Sequence, residues 1–164
     1  MYLAFWLYLS IWFGNIMQAI IFMGIQASGK TSFYKEYFFN SHVRISLDLL
    51  NTRNKQSRFL QTCFDTHSRF VIDNTNPRTD VRAEFIEKAN QYKYEVIGYY
   101  FKSSLMESLQ RNSKRKGKEQ IPEAGIRKCY ASLELPSFNE GFHSLYYVEL
   151  TDSGFMVKDW ESEI

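Results

Sequence analysis

The chain has 164 residues, 45% hydrophobic and 17% aromatic, which excludes a disordered polymer and suffices for one domain with its own core. A net charge of +2 makes no general case for nucleic-acid binding, so any such contact must come from local patches. Cys63 and Cys129 lie far apart in no metal-like spacing, and His42, His67 and His143 are scattered, so neither a disulfide framework nor histidine chemistry is expected.

No charged side chain precedes Lys30. Met1–Phe13 is strongly apolar and is broken by Gly14-Asn15. Leu3–Met23 as a whole approaches the roughly 20 residues that cross a bilayer, but Ala19–Met23 reads as a buried strand and the remainder is too short to span. No basic n-region marks a secretory signal. Residues 1–16 are therefore expected to be an apolar extension: a stretch upstream of a start at Met17, a hydrophobic anchor or partner-binding helix, or a transmembrane helix. Membrane association is expected only through them. Residues 17–164 are expected to form one domain, in the cytoplasm.

Gly24-Ile25-Gln26-Ala27-Ser28-Gly29-Lys30-Thr31 reads G-x-x-x-x-G-K-T, a loop whose backbone N–H groups cradle phosphate oxygens. The preceding run Ala19–Met23 fits a strand and Thr31–Phe38 fits a helix, whose N-terminus adds a positive dipole end. Lys30 is expected on the β- and γ-phosphates of ATP and the Thr31 hydroxyl on Mg²⁺, with Gly24, Ser28, Gly29 and Ser32 completing the nucleotide cradle. The alternative is a glycine-rich turn that carries a lysine.

Beyond the loop, short apolar runs alternate with helical patterns, as a parallel α/β sheet demands. His42–Ser46 reads as a strand ending at Asp48, and residues 55–67 as a helix with Phe59, Leu60, Cys63 and Phe64 on one face. Phe70–Asp73 reads as a strand, followed by the loop Asn74–Pro77. The next helix begins at a Thr79 or Asp80 cap, runs to about Asn90 and turns Val81, Phe85 and Ile86 inward. Tyr94–Phe101 reads as a strand and Ser103 as the cap of a helix into Arg111. A further helix follows Pro122, and Leu145–Leu150 with Phe155–Trp160 reads as a hairpin about Asp152-Ser153-Gly154. The expected class is an α/β P-loop NTPase of kinase type: three layers, a parallel sheet and a small helical lid.

In such sheets ligands bind beyond the carboxyl ends of the strands. Asp73 closes an apolar strand there, as an Mg²⁺-orienting carboxylate does; the bland reading is a turn residue. Asp48 fits either a general base or the N-cap of the following helix, and spacing leaves both open. The five basic residues within Arg111–Lys118 fit a lid that brings guanidinium groups to the phosphoryl group, or a solvated helix end. A GTPase is disfavoured, because Asn54-Lys55-Gln56-Ser57 lacks the aspartate of the guanine-reading N-K-x-D pattern. No D-x-D pattern marks a fused phosphatase.

These pieces, in this order, resemble the kinase domain of polynucleotide 5′-hydroxyl kinases and their P-loop relatives, often labelled AAA-type ATPases. The resemblance runs from about Gln18 to Leu150. It rests on Gly24–Thr31, Arg44-Ile45-Ser46-Leu47-Asp48, Val71-Ile72-Asp73-Asn74-Thr75-Asn76-Pro77, Arg111-Asn112 with Arg115 and Gly117-Lys118, Leu135-Pro136 and Glu140-Gly141-Phe142. It implies that Asp48 is the general base for an acceptor hydroxyl and that Arg111 and Arg115 contact phosphates. Leu47 stands where the family often has an arginine, and Arg44 or Arg53 is expected to take its place on an acceptor phosphate, with Asn74 and Asn76 as further substrate contacts. The implied activity is transfer of the γ-phosphate of Mg·ATP to a polynucleotide 5′-hydroxyl of RNA or DNA. The alternatives are a zeta-toxin-like or small-metabolite kinase and, from another class, an ATP-binding switch or partner-binding ATPase without an acceptor. The oligomeric state is not legible.

Overall fold

Strand β1 (Gln18–Met23) is an almost wholly buried apolar run, and its period of two sends alternate side chains to opposite faces of the sheet. Ala19, Ile21 and Met23 join a core cluster with Leu60, Cys63, Phe64, Phe85, Ile86 and Ala89. Ile20 and Phe22 join a second cluster with Phe33 and Tyr34. A strand buried on both faces needs helices on both, and this gives the three layers. The computed structural model describes residues 16–161, so the apolar segment before Ile16, including every expectation attached to it, lies outside the described residues.

In chain order, β1 is followed by α1 (Lys30–Tyr37), β2 (Val43–Ile45), α2 (Leu47–Leu50), α3 (Arg53–Asp65), β3 (Phe70–Ile72), α4 (Thr79–Gln91) and β4 (Glu95–Phe101). Then come α5 (Leu105–Ser113), α6 (Glu123–Ala131), β5 (Ser144–Thr151) and β6 (Gly154–Asp159), with short 3₁₀ turns at Gly117–Glu119 and Phe138–Glu140. The sheet order is β2-β3-β1-β4-β5-β6, parallel throughout except for the antiparallel β5–β6 hairpin. The α/β class, the parallel sheet and the terminal hairpin agree with expectation. No helix among the described residues is long and apolar enough to cross a membrane.

Several local expectations differ. Phe59 is 52% exposed, because the buried face of α3 follows Gln56, Leu60, Cys63 and Phe64. Ser104, not Ser103, caps α5, accepting from Glu107 N; Ser103 is used elsewhere. Arg78 occupies the N-cap position of α4 without a side-chain cap, and Asp80 pairs with Arg78.

The loop after β3 is anchored by Arg82, which is fully buried. Its Nε donates to Glu140 Oε2 (2.6 Å) and its Nη2 to Glu140 Oε1 (2.8 Å), a bidentate pair. Its Nη1 donates to the carbonyls of Asn76 (3.2 Å) and Glu134 (3.1 Å). One guanidinium thus ties α4, the Asn74–Pro77 loop and the segment after α6. Arg82→Met leaves the Glu140 carboxylate without its counter-charge, with only the Ser137 N–H still donating to it, and is expected to cost about 3–5 kcal/mol in urea unfolding. A loss below about 1 kcal/mol, the worth of a surface pair, contradicts this assignment.

Candidate active site

At the end of β1 the chain must turn sharply into α1, and glycines make the turn. Gly24 has φ +143°, and a Cβ there would lie 3.1 Å from Phe101. Its N–H donates to Thr75 O (3.0 Å), and the next N–H, of Ile25, donates to Ser103 Oγ (3.2 Å). Gly29 sits at the N-cap of α1 with φ +101° and no side chain to cap it, so the first-turn N–H groups border the cleft unclaimed by a cap. Ala27 adopts the left-handed region (φ +59°) without a glycine's freedom, a strain of roughly 1–2 kcal/mol.

Lys30 is buried inside this turn. Its Nζ donates to Gly24 O (2.9 Å), Ile25 O (2.6 Å) and Ser28 Oγ (3.3 Å). Burial lowers its pKa from 10.5 to about 8, against the opposing pull of the Asp73 carboxylate.

Asp73 follows the end of β3 and is buried. Its Oδ2 accepts from Thr31 Oγ1 (3.0 Å) and Arg44 Nε (2.7 Å), while Arg44 Nη2 also reaches Thr31 Oγ1 (3.1 Å). A hydroxyl and a carboxylate oxygen this close are the hard donors that Mg²⁺ takes alongside water and phosphate oxygens, so the residues fit that ion. Arg44, expected on the acceptor, instead lies against this metal-type pair.

Asp48 lies in the first turn of α2 rather than at a strand end, exposed on the wall of the same cleft. The capping alternative does not hold: Thr52 caps α3, accepting from Lys55 N, and Ser46 occupies the N-cap of α2. The cleft has a volume of about 250 Å³, and Lys30, Thr31, Ser32, Asp48, Asp73 and Arg115 all line it. A second cleft of about 300 Å³ shares Leu47, Asn74 and Thr75 with the first and adds Arg53 and Arg78. Asn74 Oδ1 accepts from Leu47 N (2.9 Å), which fixes the start of α2, and its Nδ2 is buried without a protein partner. Asn76 is buried in a left-handed conformation away from the cleft of Asp48, with Nδ2 donating to Phe22 O (2.7 Å) and Oδ1 without a protein partner.

The basic segment lies over the phosphate loop. Arg111 Nε donates to Ala27 O (2.8 Å), and Arg115 lines the cleft. Asn112 closes the turn between α5 and α6 through both faces of its amide, to Ile121 N (2.9 Å) and Ile121 O (2.8 Å). Ile25, Ile126 and Cys129 form a small apolar cluster that seats α6 on the loop.

Sequence reasoning missed Ser103, Arg82 and the cleft residues Gln26, Leu47, Thr75 and Ile121. For Arg82 a signal existed: it shares a helical stripe with Phe85, Ile86 and Ala89, where a lone cation implies a buried partner. No local pattern marks Ser103 as a ligand of a loop 78 residues earlier.

The lowered pKa of Lys30 has consequences of opposite sign for binding and folding. Only the ammonium attracts phosphate, so nucleotide affinity is expected to fall above pH 8, approaching tenfold per unit. The unfolded chain holds this proton up to about pH 10.5, so the group's contribution to stability rises between pH 8 and 10.5. Lys30→Met should abolish nucleotide binding in calorimetry. A pH-independent affinity between pH 7 and 9.5 contradicts the buried-ammonium account.

Residues 20–136 match the family described as AAA domain. The bifunctional polynucleotide phosphatase/kinase of Schizosaccharomyces pombe is 23% identical over 150 residues, which cover 88% of this chain and 35% of that protein. The chain thus spans about a third of the length of the curated relatives it matches. Among solved structures, a gluconokinase from Sinorhizobium meliloti has TM-score 0.57 at 16% identity, covering 85% of this chain and 86% of that one. A chain of the Pnkp1/Rnl/Hen1 RNA repair complex has TM-score 0.61 at 20% identity, covering 73% and 45%. With its phosphate loop, its β2-β3-β1-β4-β5 parallel core and this match, the chain has the fold of the P-loop kinases and belongs to the AAA domain family.

Proposed function

We propose that the protein transfers the γ-phosphoryl group of ATP to a hydroxyl acceptor, and that the acceptor is the 5′-hydroxyl end of a polynucleotide. The observation that carries the reading is the exposed Asp48 carboxylate on the wall of the cleft that also holds Lys30, Thr31 and Asp73. A nucleotide-binding switch has no use for an open carboxylate beside the γ-phosphate position; a kinase does.

The backbone N–H groups of Gly29–Ser32 and the Lys30 ammonium hold the β- and γ-phosphates. Thr31 and Asp73 hold Mg²⁺, which neutralises phosphate charge when bound. Asp48 accepts the proton of the acceptor hydroxyl as its oxygen attacks the γ-phosphorus, and ADP leaves on the opposite side. Arg115, from the cleft wall, and Arg111, from the loop carbonyl it holds, supply charge to the transferring group. The second cleft, with Arg53 at its rim and the free Nδ2 of Asn74 in its wall, suits the phosphodiester that follows a 5′-hydroxyl. The likeness to a polynucleotide phosphatase/kinase supports the nucleic-acid acceptor over a metabolite. A reaction that draws on ATP belongs in the cytoplasm.

The test incubates the full chain with Mg²⁺, γ-labelled ATP and RNA or DNA oligonucleotides bearing a 5′-hydroxyl or a 5′-phosphate. Label is expected on the 5′-hydroxyl strands alone. Asp48→Ala is expected to lower that rate by about 10²–10⁴-fold, the usual worth of a general base, with ATP affinity unchanged. Label on no strand contradicts the polynucleotide acceptor and favours a sugar or nucleotide-sugar acceptor. Phosphorylation of the 5′-hydroxyl strands indifferent to Asp48→Ala contradicts its role as the base.

A further inference from the structure

Asp73 is buried, and an unpaired carboxylate there would be costly, so something positive must attend it. That charge comes from Arg44 on β2. Two guanidinium nitrogens, Nε and Nη2, each lie 2.7 Å from the same Asp73 oxygen, and Nη2 also donates to Thr31 Oγ1. Thr31 in turn donates its proton to that same carboxylate oxygen. The Thr31 hydroxyl oxygen and the Asp73 oxygen it faces, the two donors nearest to each other, are thus both engaged by an arginine. The guanidinium is held in place from the other side by the ring of Tyr34, whose centroid is 5.8 Å from Arg44 Cζ, and Tyr34 is pinned through its hydroxyl to His42 O (2.8 Å).

We propose that Arg44 is a resident cation that occupies the metal donors until nucleotide arrives, so that Mg²⁺ enters this site only together with the phosphates of ATP. The proposal rests on the reading of Thr31 and Asp73 as the metal-holding pair. A free divalent ion must displace a guanidinium bonded to both donors and then sit beside its displaced charge. With Lys30 already buried near Asp73, that is a third positive centre in one small volume. The negative charge of ATP removes this conflict: it compensates Lys30, the metal and Arg44 together. Arg44 is accordingly a positioning residue. It holds the Asp73 carboxylate in place in the free protein and makes metal uptake conditional on nucleotide.

Mn²⁺ binding by the full chain, followed by electron paramagnetic resonance, tests this without any turnover. In the absence of nucleotide the unchanged protein should bind Mn²⁺ weakly, and Arg44→Met should bind it at least about tenfold more tightly, because a buried carboxylate is left without a counter-charge. Arg44→Lys keeps a charge on Asp73 but loses the second and third hydrogen bonds, so it should fall between the two; it also serves should Arg44→Met fail to fold. With a non-hydrolysable ATP analogue present, Mn²⁺ affinity should be nearly equal in all three. Equal Mn²⁺ affinity of the three proteins without nucleotide overturns the proposal. Asp73→Asn separates the two layers of the argument: it should weaken Mn²⁺ binding in the analogue complex. If it does and the nucleotide-free affinities are still equal, the metal site stands and the role of Arg44 falls. If Asp73→Asn leaves Mn²⁺ binding unchanged, the metal site falls and takes the proposal with it.

Discussion

A cation buried at the end of a buried strand constrains everything around it. The buried Lys30 ammonium is solvated by the chain itself, through the carbonyls of Gly24 and Ile25 and the hydroxyl of Ser28. Turning those groups inward requires a backbone that reverses within a few residues, which is why Gly24 and Gly29 take positive φ and Ala27 is strained into the same region. Burial also lowers the pKa of the amine to about 8, which holds it near the edge of its own protonation.

Neighbouring segments are fastened to that turn by hydrogen bonds that reach across the sequence. Ser103, at the end of β4, holds Ile25 N, and Thr75, beyond β3, holds Gly24 N. Arg111 holds the carbonyl of strained Ala27. The segment that carries Asn74 and Thr75 is in turn locked by Arg82 to Glu140 and by Asn76 to Phe22. The scaffold is thus fastened by buried polar contacts, whereas Asp48 and Ser32 remain exposed on the cleft wall. That division suits a site that holds one ligand rigidly and admits a second from solvent.

Much of this was legible in the sequence because the signals are local. The apolar run before Gly24, the G-x-x-x-x-G-K-T spacing and the acidic residue closing Phe70–Ile72 each lie within one element, and each appears where expected. What was not legible depends on partners far along the chain. The four-residue helix α2 is too short for periodicity to declare, so Asp48 read as a strand end. Arg82 reads as an ordinary helix charge until Glu140 is brought beside it by the fold. Asn76, inside the most specific stretch, reads as a substrate contact although it is buried and its Nδ2 donates to Phe22 O. Arg44 reads as an acceptor residue because nothing in the sequence says that β2 and β3 pair in parallel, with Arg44 opposite Val71 and Asp73 just beyond.

The most direct test of the central claim, that Asp48 receives the proton of an acceptor hydroxyl beside the γ-phosphate position, is a crystal structure with Mg²⁺, ADP, aluminium fluoride and a short 5′-hydroxyl oligonucleotide. The account predicts an Asp48 carboxylate oxygen about 2.6–3.2 Å from the 5′ oxygen, with the fluoroaluminate between that oxygen and ADP. A strand whose 5′ end lies away from Asp48, or an Asp48 turned out of the cleft in the assembled complex, would contradict it.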